Sequence, residues 1–441
     1  MPNLPTTRRR FLAASAALGA AAAFPGIAAP LVGAAPPQLL PPAKGRRVVI
    51  VGGGWGGLSA ARHLRDLAPE LEVVLLERNP SFWSCPLSNK WLASLVDEKL
   101  LAHEYAPAAQ AYGYTFIQAE VSDIDRERRR VVTARGALDY DWLVLAVGIR
   151  YDYAAWFGND GRAAEHTRRN FPCAYLPGGE HQALKAKLES FAGGDLVMNL
   201  PPLPYRCPPS PYERAVVIAS LLKSRKIKGR LVILDPNPLM QAFKRPFFEH
   251  YREQIVYVPH ARVKSVDPYN KVVSTDLDDY RFADAILMPP QQAADLAWRA
   301  GLIAGDGAGK PTGWVEPEPL HLHAGDDERI FLIGDLLGQV SPLFGRYPKG
   351  GHLAARLGRI AAREIAARAR GAIPEKLLPD SICHVLTSME PQEMMRIDSQ
   401  FKLRADGLIA QTVKQTHDPN PMGEDVRWAK GMFAEFLAYR E

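Results

Sequence analysis

The alternation of apolar and polar positions divides the chain into strand–helix–strand units. Residues 46–51 are a β-branched run that predicts a short buried strand, and 58–67 carry apolar side chains at helical spacing. A second apolar run, 72–76, ends on Glu77, and 141–148 reads as another buried strand closing on Gly148. The plan then repeats: strand 195–200, helix 212–223 behind Pro211, strand 230–235. A further buried strand over 329–333 ends in Gly334-Asp335, and a long helix is predicted over 350–369. Beyond it, 380–387 and 394–402 read as strands and 425–439 as a helix bearing Trp428, Met432, Phe433 and Phe436. Arg427, Lys430, Glu435 and Arg440 flank that apolar face, which is expected to pack on protein rather than on a membrane.

This order predicts an α/β protein with two Rossmann-like dinucleotide-binding domains and a C-terminal α+β domain. The expected boundaries are 45–155 and 296–370 for the first dinucleotide domain, 156–295 for the second, and 371–441 for the C-terminal domain. Gly52, Gly54 and Gly57 follow the first strand in G-x-G-x-x-G spacing. They suit a tight turn, close approach to a pyrophosphate, and close helix–strand packing, with phosphates on the helix N-terminus. Glu77 stands twenty residues after Gly57, where a carboxylate binds a ribose hydroxyl. In the second unit the equivalent turn is Pro201-Pro202-Leu203-Pro204-Tyr205-Arg206-Cys207-Pro208-Pro209. Prolines lack N–H donors and glycine's freedom, so this turn is not expected to cradle NAD(P). Asp335, returning late in the sequence, suits the longer FAD. Gly148, Asp335 and Lys349, just before the last long helix, complete the expected cofactor contacts.

The formal net charge of +6 falls to +3 once Arg8, Arg9 and Arg10 are set aside, too little for nucleic-acid binding. Those arginines, followed by Phe11-Leu12 and an Ala-rich run, form a twin-arginine export signal. Residues 1–34 are expected to be removed and the mature protein to reside in the periplasm, with no membrane span. Four cysteines occur, at 85, 173, 207 and 383, and no C-x-x-C-H haem site. His321 and His323 share a strand face without a third ligand nearby, so no metal is expected.

Cys207 precedes a helix N-terminus and follows Arg206, both of which lower a thiol pKa. Glu213, in the first turn of that helix, suits either proton relay or dipole complementation. Cys383 is a candidate partner for Cys207, in a structural or a redox disulfide. Cys85 follows Phe82-Trp83 where the chain returns toward a bound flavin; a thioether to FAD and a buried free thiol both stay open.

The runs Phe82-Trp83-Ser84-Cys85-Pro86-Leu87-Ser88-Asn89, Tyr205-Arg206-Cys207-Pro208-Pro209-Ser210-Pro211-Tyr212-Glu213-Arg214 and Ser381-Ile382-Cys383 carry a specific likeness. With 48–57 and 333–335, they make the chain resemble the flavoprotein subunit of flavocytochrome c sulfide dehydrogenase, a relative of sulfide:quinone oxidoreductases. The resemblance implies a Cys85–FAD thioether, a Cys207–Cys383 redox disulfide and a proton-handling Glu213. It further implies that hydrosulfide attacks the disulfide and that electrons pass through FAD to a separate c-type cytochrome. Two features depart from the pattern. The run Phe344-Gly345-Arg346-Tyr347-Pro348-Lys349-Gly350-Gly351 follows the family's Met-Pro-Lys-Ser-Gly only partly, and Cys173 is either a spare thiol or the third cysteine of quinone-linked relatives. Quinone as acceptor and a non-catalytic flavoprotein partner of a sulfur-oxidation system are the alternatives.

Overall fold

The computed structural model describes residues 37–439; the twin-arginine segment and its cleavage sites lie outside them. The strand Arg47–Val51 is buried along its whole length between two parallel neighbours, Glu72–Glu77 and Trp142–Leu145. Its β-branched side chains face cover on both sides, as a central parallel strand requires. Thr115–Gln118 extends the sheet beyond Glu72–Glu77. On the other side the distant strand Asp327–Leu332 joins Trp142–Leu145 in parallel, followed by His323–Ala324 at the edge, giving six strands. Val48, Ile50, Leu143, Val144, Ile330 and Phe331 are wholly buried there. Each is worth about 1.5–3 kcal/mol of apolar burial.

Two helices lie together beside this sheet, Trp55–Leu67 and Gly351–Ala369. They meet backbone to backbone, since a Cβ on Gly358 would stand 2.2 Å from the Gly56 carbonyl oxygen. This contact brings the N-termini of both helices to one place.

The second parallel sheet runs Ile255–Pro259, Gly229–Asp235, Gly194–Asn199, Asp284–Ile286. Helix Ser210–Ser224 connects its two middle strands and buries eleven of its fifteen residues, including Val216, Val217 and Ile218. The C-terminal sheet is antiparallel, Asp380–Met389, Gln392–Leu403 and Ile409–Asp418. Two of these strands match the sequence expectation; the third does not, because most of its side chains are exposed and carry no apolar alternation. Asp380–Met389 packs on helix Ser210–Ser224, which places Cys383 against the second sheet's helix.

Helix Glu424–Phe436 packs on protein, as expected. Phe433 and Phe436 are fully buried, and Trp428 stacks on Trp55 with 5.9 Å between ring centroids. No helix among the described residues is long and apolar enough to cross a membrane.

Candidate active site

A cavity of about 710 Å³ opens where the first sheet, the two uncapped helices and the proline-rich turn converge. Gly52, with φ +105°, makes the turn that no side chain permits: a Cβ there would stand 2.5 Å from Ala146 O. Gly57 serves packing, its absent Cβ making way for Gly52 O. A Cβ on Gly54 would meet nothing within 4 Å, so this face of the loop is open to a ligand. Gly54 caps the first helix and Gly350 the long one, neither with a side-chain hydrogen bond. Two helix N-termini thus face one cavity, a setting for negative charge. Glu77 lines its outer end, with one oxygen taking Gly53 N–H at 2.7 Å and the other taking Asn79. The Trp55 indole N–H is buried beside the cradle without a partner. These features fit the pyrophosphate and ribose of a dinucleotide.

Gly148, Asp335, Cys85 and Cys207 line the same cavity. Asp335 does not stand free: Arg206 Nε donates to it at 2.6 Å, both side chains nearly buried. Lys349 departs from its expected role. Its ammonium turns to the carbonyls of Asp335 (2.7 Å) and Leu337 (2.6 Å) and lies over the Trp314 ring. It does not line the cavity, and burial brings its pKa down to about 7. Lys349 braces the loop, and the helix N-terminus at Gly350 faces the cavity.

The cysteines of the proline-rich turn and the C-terminal sheet come together. Cys207 and Cys383 are free thiols in mutual hydrogen-bond contact. Cys207 has φ +52°, uncommon for a residue with a Cβ, and its N–H donates to Lys349 O at 2.8 Å. The expected lowering of its pKa is not found. The bond to Cys383 first, then burial, then the charges of Cys383, Glu213 and Asp335, push the Cys207 thiol well up. Arg206 does not counter this because Asp335 and the Tyr175 carbonyl, each at 2.6 Å, occupy it. Cys207 is therefore held as a thiol.

Glu213 accepts from Asn89 Nδ2 at 2.6 Å and from the Leu386 N–H at 2.9 Å, three residues along the strand from Cys383. Burial raises its pKa despite both donors. Asn89 also accepts from Arg214 Nε at 3.0 Å and donates to Ser210, so one amide ties the helix to Cys85's loop. Asn89 lies inside the Cys85 run, where nothing in the local sequence marks this role. Next to it, Lys90 forms a buried ion pair with Asp425 of the C-terminal helix at 2.5 Å.

Cys85 lies 3.9 Å from the Tyr175 carbonyl, its pKa raised by burial against the pull of Arg206. Cys173 is 1% exposed in the core with Tyr175, Leu184 and Trp91 and does not line the cavity. His321 spends a ring nitrogen on Glu364 at 2.8 Å.

In the second unit the strand-end carboxylate is engaged by protein as well. Asp235, at the strand end where a ribose would bind, is wholly buried. It is saturated by Tyr212 (2.6 Å), Tyr257 (3.0 Å) and Asn237.

Residues 46–170 match the pyridine nucleotide-disulphide oxidoreductase family, and 181–290 match the central region of the sulfide dehydrogenase [flavocytochrome c] flavoprotein chain. The fold is that of the pyridine nucleotide-disulphide oxidoreductases. The sulfide:quinone oxidoreductase structure from Aquifex aeolicus aligns with a TM-score of 0.67 at 20% identity, covering 89% of this chain and 91% of that one. An NAD-dependent persulfide reductase from A. fulgidus aligns at 0.59 and 16% identity, covering 89% of this chain and 77% of that one. In sequence, the sulfide-quinone reductase of Aquifex aeolicus is 25% identical over 264 residues, 56% of this chain and 59% of that protein's length. The sulfide dehydrogenase [flavocytochrome c] flavoprotein chain of Chlorobaculum thiosulfatiphilum is 52% identical over 36 residues, 8% of this chain and 75% of that sequence. The chain belongs to the family of sulfide:quinone oxidoreductase and flavocytochrome c sulfide dehydrogenase flavoproteins, and its cofactor is FAD.

Proposed function

We propose that the chain is an FAD-dependent sulfide dehydrogenase that passes electrons to a c-type cytochrome. The observation that carries this reading is Cys207 at the wall of a cavity suited to FAD with Cys383 acting on its thiol, while the strand-end Asp235 of the second unit is engaged by Tyr212. In the oxidised protein the pair is a disulfide. Hydrosulfide attacks one sulfur, the S–S bond breaks, and the products are a persulfide on one cysteine and a thiolate on the other. The turn around Cys207 and the strand at Cys383 hold the two sulfurs in register through this exchange. Glu213, a carboxyl whose pKa burial raises beside the pair, holds a proton facing the departing sulfur, which leaves as the thiolate. Gly52, Gly54, Glu77, Gly148 and Asp335 would hold FAD, which when bound would supply a two-electron acceptor able to release electrons singly.

Cys85 is the residue for a covalent link to FAD, as the family likeness suggests. An acid-denatured sample should carry the FAD mass on the peptide containing Cys85, and Cys85→Ser should lose it; flavin released whole from the native chain would refute the link.

The match to the flavocytochrome c central region favours a cytochrome acceptor; the likeness to the Aquifex protein favours quinone as a second reading. Sulfide-reduced protein should be reoxidised by a c-type cytochrome at least tenfold faster than by a soluble quinone. The opposite order would move the assignment to the quinone-linked class. The twin-arginine run supports a periplasmic location for the reaction, which fractionation of producing cells tests directly.

A further inference from the structure

Tyr151 and Glu180 have no task in the chemistry above, yet both line the cavity with Cys85, Arg206 and Cys207. The Tyr151 hydroxyl donates to Glu180 Oε2 at 2.8 Å and accepts the Tyr175 N–H at 2.9 Å. The carbonyl of the same Tyr175 takes Arg206 at 2.6 Å and lies 3.9 Å from the Cys85 sulfur. One residue's backbone thus joins the phenol–carboxyl pair to the wall that carries Cys85 and Arg206. Glu180 itself opens helix Glu180–Ser190, with the backbone N–H groups of Ala174 and Leu176 favouring its carboxylate. The titratable and charged groups facing the pair are Tyr153, Cys173, Arg168 and, toward the cavity, Arg206. Burial outweighs the donors and holds the Glu180 carboxyl above its ordinary range. Neighbouring His181 is unsuited to carry protons. It is wholly buried, both ring nitrogens lack partners, and burial lowers its pKa to about 3.

Oxidation of hydrosulfide at the level of zero-valent sulfur is HS⁻ → S⁰ + H⁺ + 2e⁻. The sulfur loses two electrons to the flavin, and one proton must leave the cavity. Glu213 does not line that cavity and has both oxygens engaged by Asn89 and Leu386. We propose that Glu180, backed by Tyr151, is the cavity's proton exit: its carboxylate takes the proton from the sulfur and releases it to solvent. The inference rests on the sulfide-oxidising reading.

The test compares holoenzyme, Glu180→Gln and Tyr151→Phe by two readouts. An infrared pH titration should show a protonated-carboxyl band that Glu180→Gln removes. Tyr151→Phe should move its pKa upward, because the lost hydroxyl had stabilised the carboxylate. The second readout is the rate of flavin reduction by sulfide against pH. The rate should fall on the acid side as Glu180 takes its proton. That limb should shift upward with the band in Tyr151→Phe. In Glu180→Gln the limb should vanish, and the rate should drop on the order of 10²-fold. A band that moves while the limb stays put in both variants would make Glu180 a structural cap and overturn the proposal. Wild-type flavin that sulfide does not reduce would overturn the functional reading and the relay together.

Discussion

Cys207→Ser is expected to lower the rate of sulfide oxidation by at least about a thousandfold while FAD content stays at the wild-type level. The two sulfurs act as one unit, so Cys383→Ser should do equal damage. The double variant should be no worse than either single, the mark of groups that serve one step. Steady-state turnover and flavin absorbance of the three purified variants decide it. Retention of sulfide turnover within tenfold of wild type in either single variant would remove the pair from the chemistry. It would leave a flavoprotein whose role is binding rather than catalysis. The geometry favours the first outcome, because Cys207 lines the cavity and Cys383 acts on it from a strand of the C-terminal sheet.

The largest expected effect on stability comes from a buried ion pair whose charges reach Glu213. Lys90 and Asp425 have side chains 7% and 5% exposed and meet at 2.5 Å. Lys90→Met leaves the Asp425 carboxylate buried without its cation and should cost about 3–5 kcal/mol of unfolding free energy. Asp425 Oδ1 already lacks a hydrogen-bond partner, so little else there can compensate. Replacing both partners, Lys90→Met with Asp425→Leu, should restore most of the loss, since two apolar groups leave no orphaned charge. Denaturant unfolding followed by tryptophan fluorescence suits the measurement, because Trp428 on the same helix stacks against Trp55 at the FAD cradle. A loss below about 1 kcal/mol in the single variant would mean that water reaches the pair.

What could be read from the chain and what could not differ in physical kind. The strand at 47–51, the glycine turn and Glu77 were legible because a buried parallel strand and a phosphate turn each demand residue types at fixed local spacing. The late strand at 327–332 was legible for the same reason, and its Asp335 reaches the cavity as expected. The strand Ile409–Asp418 was not, because its order comes from ten backbone pairings with Gln392–Leu403 and not from its own mostly exposed side chains. Lys349 was misplaced because a lysine beside a glycine loop reads as a ligand contact. Only the fold shows two carbonyls and an indole absorbing its charge. The direction of the Cys207 pKa failed similarly. Arg206 is adjacent in sequence, but Asp335, 129 positions away, takes the guanidinium. Asn89 and the tyrosines that seal Asp235 were in view as letters, yet their partners lie 124 and about 22 positions off, beyond any local pattern.

The central claim is that electrons enter this flavoprotein from sulfide through cysteine sulfur and not from a nicotinamide. Anaerobic mixing of the FAD-loaded protein with sulfide, and separately with NADPH and NADH, tests it in one spectrophotometric experiment. The flavin absorbance should bleach with sulfide and stay unchanged with either nicotinamide, since Tyr212 and Tyr257 engage the second unit's strand-end Asp235. Bleaching by NADPH or NADH, with none by sulfide, would contradict the account.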